Sequence, residues 1–320
     1  MKNYHFCRSS HDEVMYRSEA DLIIGFNYLV YAALETDSKL LADGFLSTHH
    51  HCITRTDSPE LLVKRHRYAY TRYFNAKYHR RGSLGEKRYF LLELDGLYHT
   101  QTAFSYVLRQ GLHHGLTATP FEYKHCSVNS YFRKELGKTD NTTIIDNEKR
   151  HQFLPRNVII PTEYRMDKNG LLLREDVIDT SYVESVYVSP RNFLYQMNRI
   201  TDEKIIKEQQ DENSLPPITI SSIEKGVPDF NPQKVFIQEA GRVNHNLMTD
   251  IELCHIIDDI ILPRRFFKNE QEASIYLLSK EKRASIGASI WEECHNRNPR
   301  NSMFSGKIVT ESQLKRCLVI

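Results

Sequence analysis

A single tryptophan, Trp291, 13 glycines and 11 prolines are spread over 320 residues, and no long apolar run occurs. The best apolar candidates are broken by charge, as in Ile256-Ile257-Asp258-Asp259-Ile260-Ile261, far short of the roughly 20 residues that a bilayer span needs. No C-x-x-C pair links the six cysteines at 7, 52, 126, 254, 294 and 317. That argues against a zinc ribbon and a disulfide staple and fits a reducing compartment. Met1-Lys2-Asn3-Tyr4-His5 is not an apolar leader, so a cytoplasmic protein with no membrane partner is expected. Rossmann and P-loop glycine fingerprints are both missing. What is present, 40% hydrophobic and 26% charged residues, is ordinary globular material, long enough for about two domains.

Net charge is only +2, but it is unevenly distributed. Nine basic residues fall between Lys64 and Arg88, opposed by Glu86 alone. Such a segment is the footprint of a polyanion-binding surface, or equally a solvated helix face.

Up to residue 137 strand and helix signals alternate. Tyr4–Ser9 reads as a strand, and Asp21–Leu34 as a helix with Leu22, Phe26, Leu29, Val30 and Ala33 on one side. Leu40–Thr54 reads as one strand, bent at Gly44. Ser58-Pro59-Glu60 opens a basic, tyrosine-rich helix to about Tyr78, with Ser58 as its N-cap. Arg88–Leu94 is a strand, Asp95-Gly96 a turn, and Leu97–Leu112 a third helix with Leu97, Phe104 and Leu108 as its core stripe. This order predicts helices packed on a small sheet. Lys138–Arg150 is polar and linker-like, residues 153–200 carry mixed signals, and Thr201–Gln233 is a proline-bearing connector. Capping boxes at Thr249-Asp250-Ile251-Glu252 and Thr310-Glu311-Ser312-Gln313, with a helix over Ser279–Asn296 between them, predict a helical C-terminal cluster. It could be of DNA-binding type, but Arg297–Val309 is too long for a helix-turn-helix connection, so structural helices are the better reading. The domains expected are 1–137, 138–245 and 246–320.

His49-His50-His51 carries the first chemical signal. On a strand, His49 and His51 share a face and His50 points away, so the outer two can share a divalent ion but need a third ligand. On the third helix Tyr106 and Gln110 are i, i+4 neighbours opposite the core stripe. A phenol, with its pKa of about 10, is a poor nucleophile until a cation stabilises the charge developing on a phosphodiester, and an amide oxygen is a neutral third ligand. Spacing alone leaves open that Tyr106 is one of 18 tyrosines packed on the sheet.

Phe45-Leu46-Ser47-Thr48-His49-His50-His51-Cys52-Ile53 resembles the signature strand of the HUH single-strand DNA endonucleases. The stretches Tyr70–Asn75, Gly85–Tyr89, Tyr106–Leu116, Pro120–Tyr123 and Ser127–Tyr131 resemble, in order and spacing, the REP-associated tyrosine transposases, relatives of the single-tyrosine insertion-sequence transposases. The likeness spans roughly residues 4–135. It implies an α+β fold, an HUH-type small antiparallel sheet flanked by helices in ferredoxin-like order, followed by the mixed region and the helical cluster. It further implies His49, His51 and Gln110 as ligands of Mg²⁺ or Mn²⁺ and Tyr106 as a nucleophile that leaves a 5′-phosphotyrosine. Lys64, Arg65, Arg67, Arg72, Lys77, Arg80, Arg81 and Arg88 would contact single-stranded or hairpin DNA, with Tyr68, Tyr70, Tyr73 and Phe74 interleaved for stacking. Relatives act as monomers or homodimers. Two positions depart from the pattern: His50 stands where an apolar residue is usual, and Gln110-Gly111 where Asn-Pro is common. The rival readings are a catalytically silent DNA-binding regulator with the same fold, and a histidine-based metal store.

Overall fold

A computed structural model describes residues 1–139, 142–154, 158–198, 247–267, 273–295, 304 and 307–320. β1 (Lys2–Ser9), β2 (Lys39–Phe45), β3 (His49–Thr56) and β4 (Phe90–Leu94) form a four-stranded sheet in the order β2-β3-β1-β4. All three pairings are antiparallel, so the chain is α+β. α1 (Glu19–Glu35) leads from β1 to β2, and α2 (Pro59–Lys77) from β3 to β4. These two helices cover one sheet face, where Phe45 meets Phe26 and His66 edge-on. The opposite face receives α3 (Gly96–Leu108), entered through Gly96 at φ +77°, where a side chain would be strained.

Local chemistry accounts for most of the boundaries. Ser18 caps α1 in a reciprocal box with Asp21, whose carboxylate also takes the hydroxyls of Tyr73 and Tyr78 and the Lys77 ammonium. Pro59 starts α2, but Ser58 makes no side-chain cap; its backbone N–H donates to Thr56 Oγ1 instead.

The stretch expected as one bent strand is a hairpin. β2 ends at Phe45, the chain turns through Leu46–Thr48, and the three histidines open β3. That turn has no glycine, proline or asparagine to announce it. Long-range bonds hold it: Tyr16 N–H and Ser10 N–H donate to the Ser47 and Thr48 carbonyls, and Ser47 Oγ donates to Asp250. The third helix differs too. It stops at Leu108, and Arg109 separates it from a short turn, α4 (Gln110–His113). Residues 99–108 are buried all round, while Leu97, expected in the core stripe, is 42% exposed.

The second layer against α3 comes from later in the chain. α5 (Arg174–Val177), α6 (Thr180–Tyr187) and α7 (Pro190–Asn198) add Val183, Val186, Tyr187, Phe193 and Met197 to the core that contains the sheet. Arg174 forms a buried forked pair with Asp43 of β2, and Gln101 of α3 donates to the Val186 carbonyl. The connector expected at Thr201–Gln233 lies outside the described residues.

A second apolar cluster gathers α8 (Asp250–His255), α9 (Leu262–Arg265), α10 (Lys280–His295) and α11 (Glu311–Leu318). Both capping boxes form, on Thr249 with Glu252 and on Thr310 with Gln313. Between α8 and α9, Ile256–Ile261 widens into a π-helical turn ahead of Pro263, which has no N–H to continue the ladder. Asp258 in that turn takes a forked bond from buried Arg17, whose third nitrogen donates to the Cys317 carbonyl. Val14, from the segment after β1, is part of the same cluster. Among the described residues no helix is long and apolar enough to cross a membrane.

Candidate active site

The pairing of β1 with β3 sets Ser9 opposite His49 and Cys7 opposite His51. His49 and His51 therefore project from one sheet face, with ring centroids 5.1 Å apart. His50 projects from the other, stacked on Phe45 at 4.8 Å, with Nδ1 2.8 Å from the Tyr16 hydroxyl and its ring edge on His66. Its neighbours explain how a histidine occupies an apolar position: a ring face for stacking and a hydroxyl for one nitrogen.

Each of the outer imidazoles is held through Nδ1. His49 Nδ1 lies 3.0 Å from Thr48 Oγ1, and His51 Nδ1 lies 3.1 Å from His5 Nε2. His51 Nε2 is buried with no hydrogen-bond partner. Burial holds His49 down at about 4, with a hydrogen bond to Gln110 working the other way and His113 and Arg316 adding to the fall. Burial likewise puts His51 well below its ordinary value, helped by His49 and His5. Both rings are therefore neutral near pH 7, the form in which a histidine nitrogen can ligate.

α3 and α4 close over this face. The Tyr106 ring stands edge-on to His51 at 5.1 Å, to His5 at 6.0 Å and to His113 at 5.8 Å. Gln110 sits past the helix break but is tied to Tyr106, its Nε2 donating to the Tyr106 carbonyl at 3.0 Å. Gln110 Oε1 accepts from His114 Nε2 at 3.0 Å, and His114 lies 5.0 Å from His49. Close approach of these helices needs glycine at two points. A Cβ on Gly44 of β2 would sit 2.9 Å from the Val107 carbonyl. A Cβ on Gly111 would fall 2.4 Å from the Tyr123 ring, which gives the Gln110-Gly111 departure a local reason.

His49, His51, Tyr106 and Gln110 thus lie together, all at least nine-tenths buried. Among the described residues no set of three His, Cys, Asp or Glu side chains could hold a metal. A carboxamide third ligand lies outside that chemistry. Two neutral imidazoles, one with an orphaned Nε2, and an adjacent amide oxygen make a mixed nitrogen and oxygen donor set for a divalent ion, one that suits Mn²⁺ better than Mg²⁺.

The basic residues divide. Lys64, Arg65, Arg72, Arg81 and Arg88 are exposed, Arg72 lying over the exposed Tyr68 ring at 5.5 Å. Arg65 is within 4.0 Å of Glu35, and Arg67 donates to the Lys87 carbonyl. Lys77 is paired with Asp21, and Arg80 makes a forked bond to Glu13. Of the interleaved aromatics, Tyr70 and Phe74 are fully buried and Tyr73 is bonded to Asp21, leaving Tyr68 open to solvent.

Sequence reasoning missed His5, Thr48, His113 and His114 around the site. For His5 a signal existed, since alternation along β1 puts it on one face with Cys7 and Ser9. Nothing near the motif points to the C-terminal contribution: Asp250 bridges Ser47 and Arg316, and both charges act on His49.

No family model matches the chain, and no curated protein matches it. Among solved structures, a REP-associated tyrosine transposase bound to a REP hairpin is similar over 43% of this chain and 80% of that one, at 11% identity and a TM-score of 0.36. At that distance the site's chemistry rests on the side chains themselves.

Proposed function

We propose that the chain is a single-strand DNA endonuclease and strand transferase of the HUH type, built on a ferredoxin-like βαββαβ sheet and using Tyr106 as nucleophile. The observation that carries this reading is the convergence of His49, His51 and Gln110 beside the Tyr106 ring on one sheet face. A bound Mg²⁺ or Mn²⁺ would supply charge stabilisation at the scissile phosphate, held by His49 Nε2, His51 Nε2 and Gln110 Oε1. Tyr106 Oη would form a bond to phosphorus as the bond to the 3′ oxygen breaks, leaving a 5′-phosphotyrosine and a free 3′-hydroxyl. The adduct conserves the phosphodiester, so another 3′-hydroxyl can reverse the step and join a new strand. Exposed Lys64, Arg65, Arg72, Arg81 and Arg88 supply phosphate contacts, and Tyr68 a stacking surface.

Incubation with labelled single-stranded hairpin DNA and Mn²⁺ tests the reading through an adduct that survives SDS. Wild type forms the adduct; Tyr106→Phe and EDTA abolish it. A folded protein that binds these DNAs with no adduct overturns the assignment. It would establish the second reading, a catalytically silent DNA-binding protein, which the 5% exposure of Tyr106 favours.

A further inference from the structure

We propose that His5 is a positioning residue that fixes the tautomer of His51, its Nε2 accepting the His51 Nδ1 proton so that His51 Nε2 keeps its lone pair. This rests on the reading of His51 as a metal ligand. Two uncharged rings 3.1 Å apart can share a hydrogen bond in only two ways. If His51 Nδ1–H donates, His51 Nε2 keeps a lone pair and His5 carries its own proton on Nδ1. If His5 Nε2–H donates, His51 must carry its proton on Nε2, and that nitrogen cannot ligate. The two arrangements differ by the position of one proton on each ring, and the choice between them decides whether the site is competent.

The surroundings hold His5 for this task. It lies on β1, an interior strand, opposite Ile53 of β3 and Leu92 of β4, with no exposed surface. Its ring is fixed edge-on by Phe90 at 5.1 Å and Tyr106 at 6.0 Å. The ring's other nitrogen, Nδ1, is buried without a partner, so packing alone gives no reason for a histidine here. Phenylalanine would fill the same space without leaving an orphaned nitrogen. The polar ring is accounted for by its one bond, to His51. His49 Nδ1 is likewise anchored, 3.0 Å from Thr48 Oγ1.

The test uses the full-length protein, Mn²⁺ as the probe, and no DNA. Long-range ¹H–¹⁵N spectra of the metal-free wild type at neutral pH report which nitrogen of His51 carries the proton. Nδ1 protonation is the expected result, and a His51 protonated on Nε2 overturns the proposal. Free Mn²⁺, followed by electron paramagnetic resonance, gives the affinity. His5→Phe is expected to weaken binding about 10- to 100-fold, the usual effect of losing a partner behind a metal ligand. His5→Gln, which keeps an acceptor near the Nε2 position, should restore most of it. Equal affinity in wild type and a folded His5→Phe would reduce His5 to packing. If His5→Phe does not fold, the tautomer measurement on wild type still decides. If wild type binds Mn²⁺ no better than His49→Ala/His51→Ala, the metal reading fails, and the tautomer result stands separately.

Discussion

Acid should unfold this protein at mildly acidic pH, with a steep loss of stability below about pH 6.5. Burial holds His5, His66 and His125 down at about 3 and His49 at about 4, with like charges such as Arg8 near His66 and Arg174 near His125 adding to the effect. In the unfolded chain each returns to about 6.5. The folded state therefore binds fewer protons than the unfolded state throughout the range from about 6.5 down to 4, and stability falls as pH falls. At pH 5, about 1.5 units below the unfolded value, each group costs about 2 kcal/mol, so the four together cost roughly 8 kcal/mol. That is comparable to the whole stability of a native domain, about 5–15 kcal/mol. From these four alone the slope near pH 5 is about 5 kcal/mol per pH unit, the signature of about four protons taken up on unfolding, and His50 and His51, which burial also holds well below the ordinary value, steepen it further. Urea melts followed by far-ultraviolet circular dichroism between pH 7.5 and 5, in EDTA, measure this directly. His66→Phe removes one group away from the Tyr106 face and should flatten the slope by about one proton. A wild-type stability that is level across this range would refute the reasoning, because buried neutral imidazoles cannot avoid the linkage.

Other perturbations address separate parts of the molecule. Arg17→Met should destabilise by about 3 kcal/mol, because it leaves the largely buried Asp258 unpaired, and should expose the C-terminal helices to limited proteolysis; the double change Arg17→Met/Asp258→Leu should recover part of the loss. Replacing Lys64, Arg72, Arg81 and Arg88 together by alanine should leave the melting temperature nearly unchanged and reduce the salt slope of single-strand DNA binding by about 3, at roughly 0.7 per lost phosphate contact. Arg80→Ala should instead lower the melting temperature, since its guanidinium is tied to Glu13 and to the Ser83 carbonyl. Gly44→Ala should push the end of α3 away from β2 and weaken Mn²⁺ binding while DNA binding through the exposed cations persists.

What could be read in advance followed from local rules. Period-two alternation separated His50 from its neighbours, the 3.6 period found α1, Pro59 marked the start of α2, and both C-terminal capping boxes are local hydrogen-bond patterns written in four residues. Non-local contacts were illegible for a physical reason. The Leu46–Thr48 turn is made by partners at Ser10, Tyr16 and Asp250 rather than by its own residues, so it reads as strand. The break at Arg109 falls between residues of ordinary helix propensity. Helix α3 has an apolar stripe and a polar one, and periodicity alone reads the polar stripe as solvent-facing. Here Tyr106 on that stripe faces His5, His51 and His113 instead. Likewise Lys77 and Arg80 look identical to Lys64 and Arg72 in sequence, and only Asp21 and Glu13, folded beside them, distinguish an ion pair from a free cation.

The burial that makes the protein acid-labile is also what gives the proposed site its chemistry. Low-dielectric surroundings hold His49 and His51 neutral well below pH 7, and the same surroundings keep Tyr106 and Gln110 from the reach of a DNA strand. A working enzyme must satisfy both conditions in turn. The chain divides conveniently for this purpose at Arg109, where the helical ladder is already interrupted between Tyr106 and Gln110. Opening there would move Gln110, His113 and His114 as one turn and leave the β-sheet histidines in place on their Nδ1 anchors. On the endonuclease reading, amide hydrogen exchange over Gln110–Gly115 should therefore quicken when single-stranded DNA is added, with His49–Thr56 unchanged. Protection rising in both segments would instead mean that the strand binds on the outside, against α2, with the closed site never entered.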